Sequence, residues 1–189
     1  EIPEVPKEAR ASRGEIYMLG KHRLMCGDST SREDVDKLMN GKKRVDLILT
    51  DPPYNIGYDY WDYIDDKEYK EYKEYCSEIY KLFLELSARM IVTIGLVNLK
   101  LWMGISEPLT VGVWYKRNAV SGGKVSKFSV WEPLLFYGNF KKYKRDFDVF
   151  DITNVHQQDI GNGHSCPKQI KLFYDLVQNY TLKDENVLD

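Results

Sequence analysis

Val45-Asp46-Leu47-Ile48-Leu49-Thr50-Asp51-Pro52-Pro53-Tyr54 is the stretch on which the fold turns. Its first six residues form a short, mostly apolar run, the pattern of a strand buried in a parallel sheet. The run ends in a carboxylate, two prolines and an aromatic ring. In open α/β sheets ligands sit at the carboxyl ends of the strands, so Asp51 stands where a ligand would be met. Pro52 and Pro53 fix their own φ angles and restrict the residues before them, which makes the turn stiff. Tyr54 offers a ring face for stacking. The whole is a rigid pocket wall suited to a flat polar molecule, although Pro-Pro after a strand also serves as a plain structural turn.

Working outward, Ile16–Leu19 and His22–Cys26 flank Gly20-Lys21 and predict a small hairpin. Asp28, or Ser29-Thr30, is positioned to cap a helix over Arg32–Met39, which Gly41 stops. A long helix is predicted from about Asp66 to Ser87. Its residues Tyr69, Tyr72, Cys76, Ile79, Phe83 and Leu86 recur at helical spacing as one apolar stripe. Arg89–Gly95 reads as a second buried strand, Val97–Met103 as a short helix, and Leu109–Tyr115 and Ser129–Tyr137 as two more strands, which the link through Gly122-Gly123 can pair with one another. Residues 138–163 are polar and read as irregular. A final helix spans about Pro167–Tyr180 with Ile170, Phe173, Val177 and Tyr180 on one face, and Val187-Leu188-Asp189 begins a strand. Strands alternating with helices predict an α/β fold with a mainly parallel sheet.

The chain of 189 residues is long enough for one domain with a real core, and 43% of it is hydrophobic. Its net charge of −2 is no basic signature, but the distribution is uneven. Between Trp114 and Arg145, eight basic residues (Lys116, Arg117, Lys124, Lys127, Lys141, Lys142, Lys144 and Arg145) stand against one acid, Glu132. A basic face on an acidic protein suits a phosphate backbone, and an ordinary solvated lysine-rich surface accounts for it equally well. Cys26, Cys76 and Cys166 are odd in number and far apart, without metal-ligand spacing, so no metal is expected and a reducing, cytoplasmic compartment is. No apolar run reaches membrane-spanning length, so no membrane partner is expected. Residues 1–13 are charged, hold Pro3 and Pro6, and read as a linker.

The chemistry suited to this pocket concerns an exocyclic amine. Such a nitrogen is a poor nucleophile because its lone pair is conjugated into the ring. Two acceptors holding its N–H groups pull it toward tetrahedral geometry, and the Asp51 carboxylate and the Pro52 carbonyl can supply them. The arrangement of His22–Ser29, a helix, and then Val45–Asn55 resembles the opening of amino-group DNA methyltransferases of the circularly permuted class, which make N6-methyladenine or N4-methylcytosine. Trp114–Asn118 and Glu132–Gly138 resemble the blocks that follow, and His164-Ser165-Cys166-Pro167-Lys168-Gln169-Ile170 resembles the family's His-Pro-x-x-Lys-Pro block.

The resemblance implies a Rossmann-like methyltransferase fold over residues 14–189, with S-adenosylmethionine as cofactor and double-stranded DNA as partner. Asp51, Pro52, Pro53 and Tyr54 become the catalytic residues on a flipped base. Asp28, Thr50, His164, Lys168 and Asp189 become donor-binding residues. Asp28 and Lys168 also have plain roles, in a turn and beside a helix start. Residues 139–163 are the expected target-recognition segment, and 164–189 the start of the donor-binding half. Tyr58 and Trp61, in an aromatic loop after the catalytic turn, are placed to meet the base or the duplex, and their alternative is packing on the long helix. Lys116, Arg117, Lys141, Lys142, Lys144 and Arg145 are placed to meet phosphates. Asp at the head of the tetrapeptide favours adenine over cytosine. Asp51 and the permuted order argue against methylation of a protein glutamine, and the rival of another class is a non-catalytic DNA-binding or assembly module. Ser165 and Gln169 stand where the family has proline. Val187-Leu188-Asp189 matches only the beginning of the family's Val-Leu-Asp-Pro-Phe-x-Gly-x-Gly motif, so the expectation is an incomplete donor site and sheet, with self-association or a partner strand filling the gap.

Overall fold

The structure is a computed structural model that describes residues 11–59, 64–119, 129–140, 148–153 and 168–189. They fall into two compact units, one holding the described residues up to Arg44 and the other those from Val45 onward.

In the first unit, β1 (Ile16–Leu19) pairs antiparallel with β2 (His22–Met25). Gly20 turns the hairpin at φ 63°, a conformation that costs glycine no Cβ clash. Helix α1 (Arg32–Met39) follows. Its cap is Ser31, whose hydroxyl accepts from the Asp34 amide at 3.3 Å, rather than Asp28, Ser29 or Thr30 as expected. Asp28 instead holds the turn before the helix, accepting from the Thr30 amide and hydroxyl at 2.8 and 2.7 Å. The Arg23 guanidinium donates to the Leu38 carbonyl at 2.7 Å and ties the hairpin to the end of α1.

The second unit is built on a six-stranded sheet. Along the chain its elements are β3 (Leu47–Thr50), the short paired strands β4 (Tyr58–Asp59) and β5 (Ile64–Asp65), α2 (Tyr69–Leu86), β6 (Arg89–Thr93), a 3-10 turn over Leu96–Asn98, α3 (Leu99–Ile105), β7 (Thr110–Tyr115), β8 (Trp131–Gly138), β9 (Val149–Asp151), α4 (Ile170–Tyr180) and β10 (Val187–Leu188). The sheet order is β10-β3-β6-β8-β7-β9. Five strands run one way and β8 runs against them. Strands β3 and β6 are the apolar runs expected, and every residue of β6 is buried.

The two faces of the sheet are covered by different helices. Leu47, Leu49, Ile91, Leu134 and Phe136 pack with Leu172, Leu176 and Tyr180 of α4. On the other face α2 buries Tyr72, Cys76, Ile79, Phe83 and Leu86, and its Tyr80 meets the Tyr137 ring edge-on at 5.2 Å. Burial pushes the Cys76 thiol up to about 11, so it behaves as a small core hydrophobe.

Three expectations are corrected. Tyr69, the first residue of α2, is 66% exposed, and the buried stripe begins one turn later at Tyr72. On α4 the expected Tyr180 is buried and Phe173 and Val177 pack partly buried against the same core, but the fully buried residues beside them are Leu172 and Leu176, and Ile170 is 86% exposed. Within the stretch expected to be irregular, β9 pairs parallel with β7, with Phe150 as its single buried residue. Among the described residues no helix is long and apolar enough to cross a membrane.

Candidate active site

Strands β3, β6, β7 and β10 end at one edge of the sheet, and β8, running the other way, begins there. That geometry gathers residues from distant parts of the chain: Asp51 after β3, Thr93 at the end of β6, Lys116 after β7, Glu132 at the start of β8 and Asp189 after β10. Lys168, just before α4, reaches the same place.

The Asp51 carboxylate is held through one oxygen. Its Oδ1 accepts from the Tyr54 hydroxyl at 2.8 Å and, in a short hydrogen bond, from the Thr93 hydroxyl; Lys168 Nζ lies 3.4 Å away. The rest of the turn is pinned from outside. Tyr72 of α2 donates its hydroxyl to the Pro53 carbonyl at 2.7 Å, and Asn98 Nδ2 donates to the Tyr54 carbonyl at 2.5 Å. Asn55 follows at φ 55°, and its amide N–H donates to Asp65 Oδ2 at 2.6 Å. The Asn55 side chain exchanges two hydrogen bonds with the Lys67 backbone, at 2.8 and 2.6 Å. Asp65 is fully buried, and its carbonyl accepts from the Gly57 amide at 2.7 Å. Among the described residues no donor reaches Asp51 Oδ2 or the Pro52 carbonyl.

Tyr54 lies against Gly95, where a Cβ would sit 2.8 Å from the ring carbon Cδ2; the glycine makes room for the ring. Lys168 Nζ sits 4.5 Å from the centroid of that ring and donates to the Tyr54 hydroxyl at 2.5 Å. Burial holds the Tyr54 phenol well above its ordinary range, and the charges of Asp51 and Glu132 push the same way. It is therefore a neutral donor.

Glu132 is the hub behind Tyr54. It receives Lys116 Nζ at 2.6 Å and Lys168 Nζ at 2.7 Å, with the Tyr54 hydroxyl 3.1 Å away. Burial pushes its carboxyl up, but Lys168 and then Lys116 outweigh burial, and the net value lies below the ordinary carboxylate range. At the neighbouring strand end Asp189 as a residue is exposed, and its carboxyl is raised by partial desolvation and by the charge of Asp51, against the lowering effect of a hydrogen bond with Thr50.

Of the residues expected from sequence, Asp51, Pro52, Pro53, Tyr54, Thr50, Asp189 and Lys168 converge on this edge. Lys168 meets the Asp51–Tyr54 turn directly. Lys116, expected on a phosphate-facing surface, is 5% exposed and turned inward onto Glu132. Arg117 is exposed and paired with Asp151. Asp28 occupies its turn in the first unit. Trp61, Lys141, Lys142, Lys144, Arg145 and His164 lie outside the described residues, as does the side chain of Tyr58. Sequence reading missed Thr93, Asn98, Asp65 and Glu132. Only Glu132 carried a signal, as the single acid in a basic stretch.

No family model matches the chain, and no curated protein does. Solved structures do. The crystal structure of the M1.HpyAVI–SAM complex matches over 83% of this chain and 76% of its own, at 16% identity and a TM-score of 0.54. The PvuII DNA methyltransferase, described as cytosine-N4-specific, matches over 85% and 71%, at 14% identity and a TM-score of 0.60. At such identities the likeness is one of fold. The chain has the α/β, Rossmann-like fold of these methyltransferases, as the resemblance in its sequence implied.

Proposed function

We propose that this protein is an S-adenosylmethionine-dependent DNA methyltransferase acting on the exocyclic amine of a flipped base, adenine N6 in preference to cytosine N4. The observation that carries the proposal is the pair of acceptors left over in the Asp51–Tyr54 turn. Thr93, Tyr54 and Lys168 converge on Asp51 Oδ1, and Tyr72 and Asn98 take the Pro53 and Tyr54 carbonyls. Among the described residues, Asp51 Oδ2 and the Pro52 carbonyl remain for the two N–H groups of an amine. Holding both hydrogens draws the nitrogen out of conjugation, and a turn fixed in advance does so without reorganising during the reaction. The preference for adenine rests on Asp51 at the head of the tetrapeptide.

The strand ends fit a cationic methyl donor. Thr50 and the crowded carboxylates of Asp51 and Asp189 form an acidic edge, complementary to a sulfonium. When bound there, S-adenosylmethionine supplies an electrophilic methyl group. Thr50 and Asp189 would hold it on this side, and the Asp51 carboxylate takes charge-assisted hydrogen bonds from the amine as positive charge grows on the nitrogen. Tyr54 contributes its ring as the stacking surface for the base. DNA is the expected macromolecular partner, with the basic residues outside the described structure, Lys141, Lys142, Lys144 and Arg145, as phosphate contacts.

The test is transfer of a labelled methyl group from S-adenosylmethionine to duplex DNA, followed by nucleoside analysis. Label in N6-methyladenine supports the whole proposal, and label in N4-methylcytosine overturns the base preference alone. In the active protein Asp51→Ala is expected to lower the turnover rate at least about a hundredfold while the thermal midpoint stays close to wild type. Donor-independent DNA binding with no transfer would replace the enzyme reading with a binding module.

A further inference from the structure

The charged cluster behind the catalytic turn holds more groups than binding the amine requires. Asp51 and Glu132 face two ammonium groups, Lys116 and Lys168, across a neutral Tyr54 hydroxyl. The side chains of Lys116, Lys168 and Glu132 are 7%, 16% and 16% exposed, so each charge needs a partner at hand. Lys168 has two carboxylates in reach and divides its contacts unequally, at 2.7 Å from Glu132 and 3.4 Å from Asp51. The shorter contact is a direct charge-assisted hydrogen bond, whereas the longer lies outside the ordinary range for one.

We infer that Glu132 is a positioning residue that holds Lys168 off Asp51 and so reserves the Asp51 carboxylate for the substrate amine. The inference rests on the proposed role of Asp51. Without the Glu132 carboxylate, two largely buried ammonium groups lose their shared partner, and Asp51 is the carboxylate left beside Lys168. Lys168, already 3.4 Å from Asp51 Oδ1, closes on the carboxylate, and its charge there weakens the neighbouring oxygen as an acceptor for the amine. Lys116 starts further from Asp51: among the described residues Lys168 is the lysine within 4 Å of that carboxylate, while Lys116 contacts Glu132 and lies over the Trp114 ring at 5.2 Å. The wild-type cluster carries two charges of each sign. Glu132→Gln leaves it with an excess positive charge beside the site of a cationic donor, and adding Lys168→Met restores the balance.

This role has a signature that loss of structural support does not share: a second substitution in the same cluster improves the first. Glu132→Gln is expected to lower kcat about tenfold, with the KM for DNA within about twofold of wild type, and Glu132→Gln/Lys168→Met to recover at least about threefold over the single variant. A crystal structure of the ligand-free Glu132→Gln variant supplies a reading independent of activity. Lys168 Nζ is expected within about 3 Å of an Asp51 carboxylate oxygen. If Lys168 keeps its place beside residue 132, or if the double variant is no more active than Glu132→Gln, the inference is overturned while the proposed function stands. An inert wild-type protein overturns the proposed function, and with it the reservation of Asp51 for an amine, whatever position Lys168 adopts.

Discussion

Tyr54 shows how much of a site rests on single atoms. Its ring lies against Gly95, its hydroxyl donates to Asp51, and its carbonyl is held by Asn98. Gly95 has an ordinary negative φ, so its smallness matters here and its backbone freedom does not. In Gly95→Ala the new methyl would stand 2.8 Å from the ring, and the ring must tilt. Stacking of a base on an aromatic ring is worth about 1–3 kcal/mol. Gly95→Ala is therefore expected to lower kcat/KM on DNA by about ten- to a hundredfold, read in the same methyl-transfer assay, with donor binding by calorimetry little changed. The Asp-Pro-Pro-Tyr run announces this site in one dimension. Gly95 and Thr93 do not announce themselves, because each reads as an ordinary residue at the end of a buried strand.

At the scale of the element, the helices show where periodicity suffices and where it misleads. Helix α2 has one dominant apolar stripe, and all of it but Tyr69 is buried. Helix α4 is apolar over more of its circumference, with Ile170, Leu172, Phe173, Leu176 and Val177 all available, so spacing alone leaves its inner face open. Docking onto Leu47, Leu49, Ile91 and Phe136 selects Leu172 and Leu176. Leu176→Ala is expected to cost about 2–5 kcal/mol in urea unfolding, as for other buried leucines, whereas Ile170→Ala should fall within about 0.5 kcal/mol of wild type. The opposite ranking would restore the face first expected. Strand β9 was illegible for a related reason. Three residues with one inward ring carry no period, and only the free edge of β7 makes them a strand.

At the scale of the second unit, strand order brings its last residues against its first strand. Val187 and Leu188 pair with Leu47 and Ile48, and Asn186 donates its amide to Asp46 Oδ2 at 2.7 Å. Arg89, at the start of β6, donates to the Tyr180 carbonyl at 2.7 Å and pairs with Glu185 at 2.9 Å. This second tie fastens the link between α4 and β10 to the centre of the sheet. Glu185 also accepts from the Leu182 amide at 3.0 Å, closing the turn it sits in. Glu185→Ala is expected to destabilise the fold by about 1–3 kcal/mol, measured by chemical unfolding, and Glu185→Gln by less, because the amide oxygen can still accept both bonds.

By itself the sequence determined the α/β class, the strand that leads to Asp51, the stiff turn after it and most element positions. Each of these is local: hydrophobic runs, proline geometry and capping act over a few residues. Tertiary structure alone decided that β8 inserts between β6 and β7, which face α4 buries, and that Lys116 turns inward. It alone also brought Thr93, Glu132 and Lys168 to Asp51, across 42 to 117 positions of chain. Those meetings follow from strand order, and strand order is set by how apolar faces pack across the whole sheet, which no window of sequence contains.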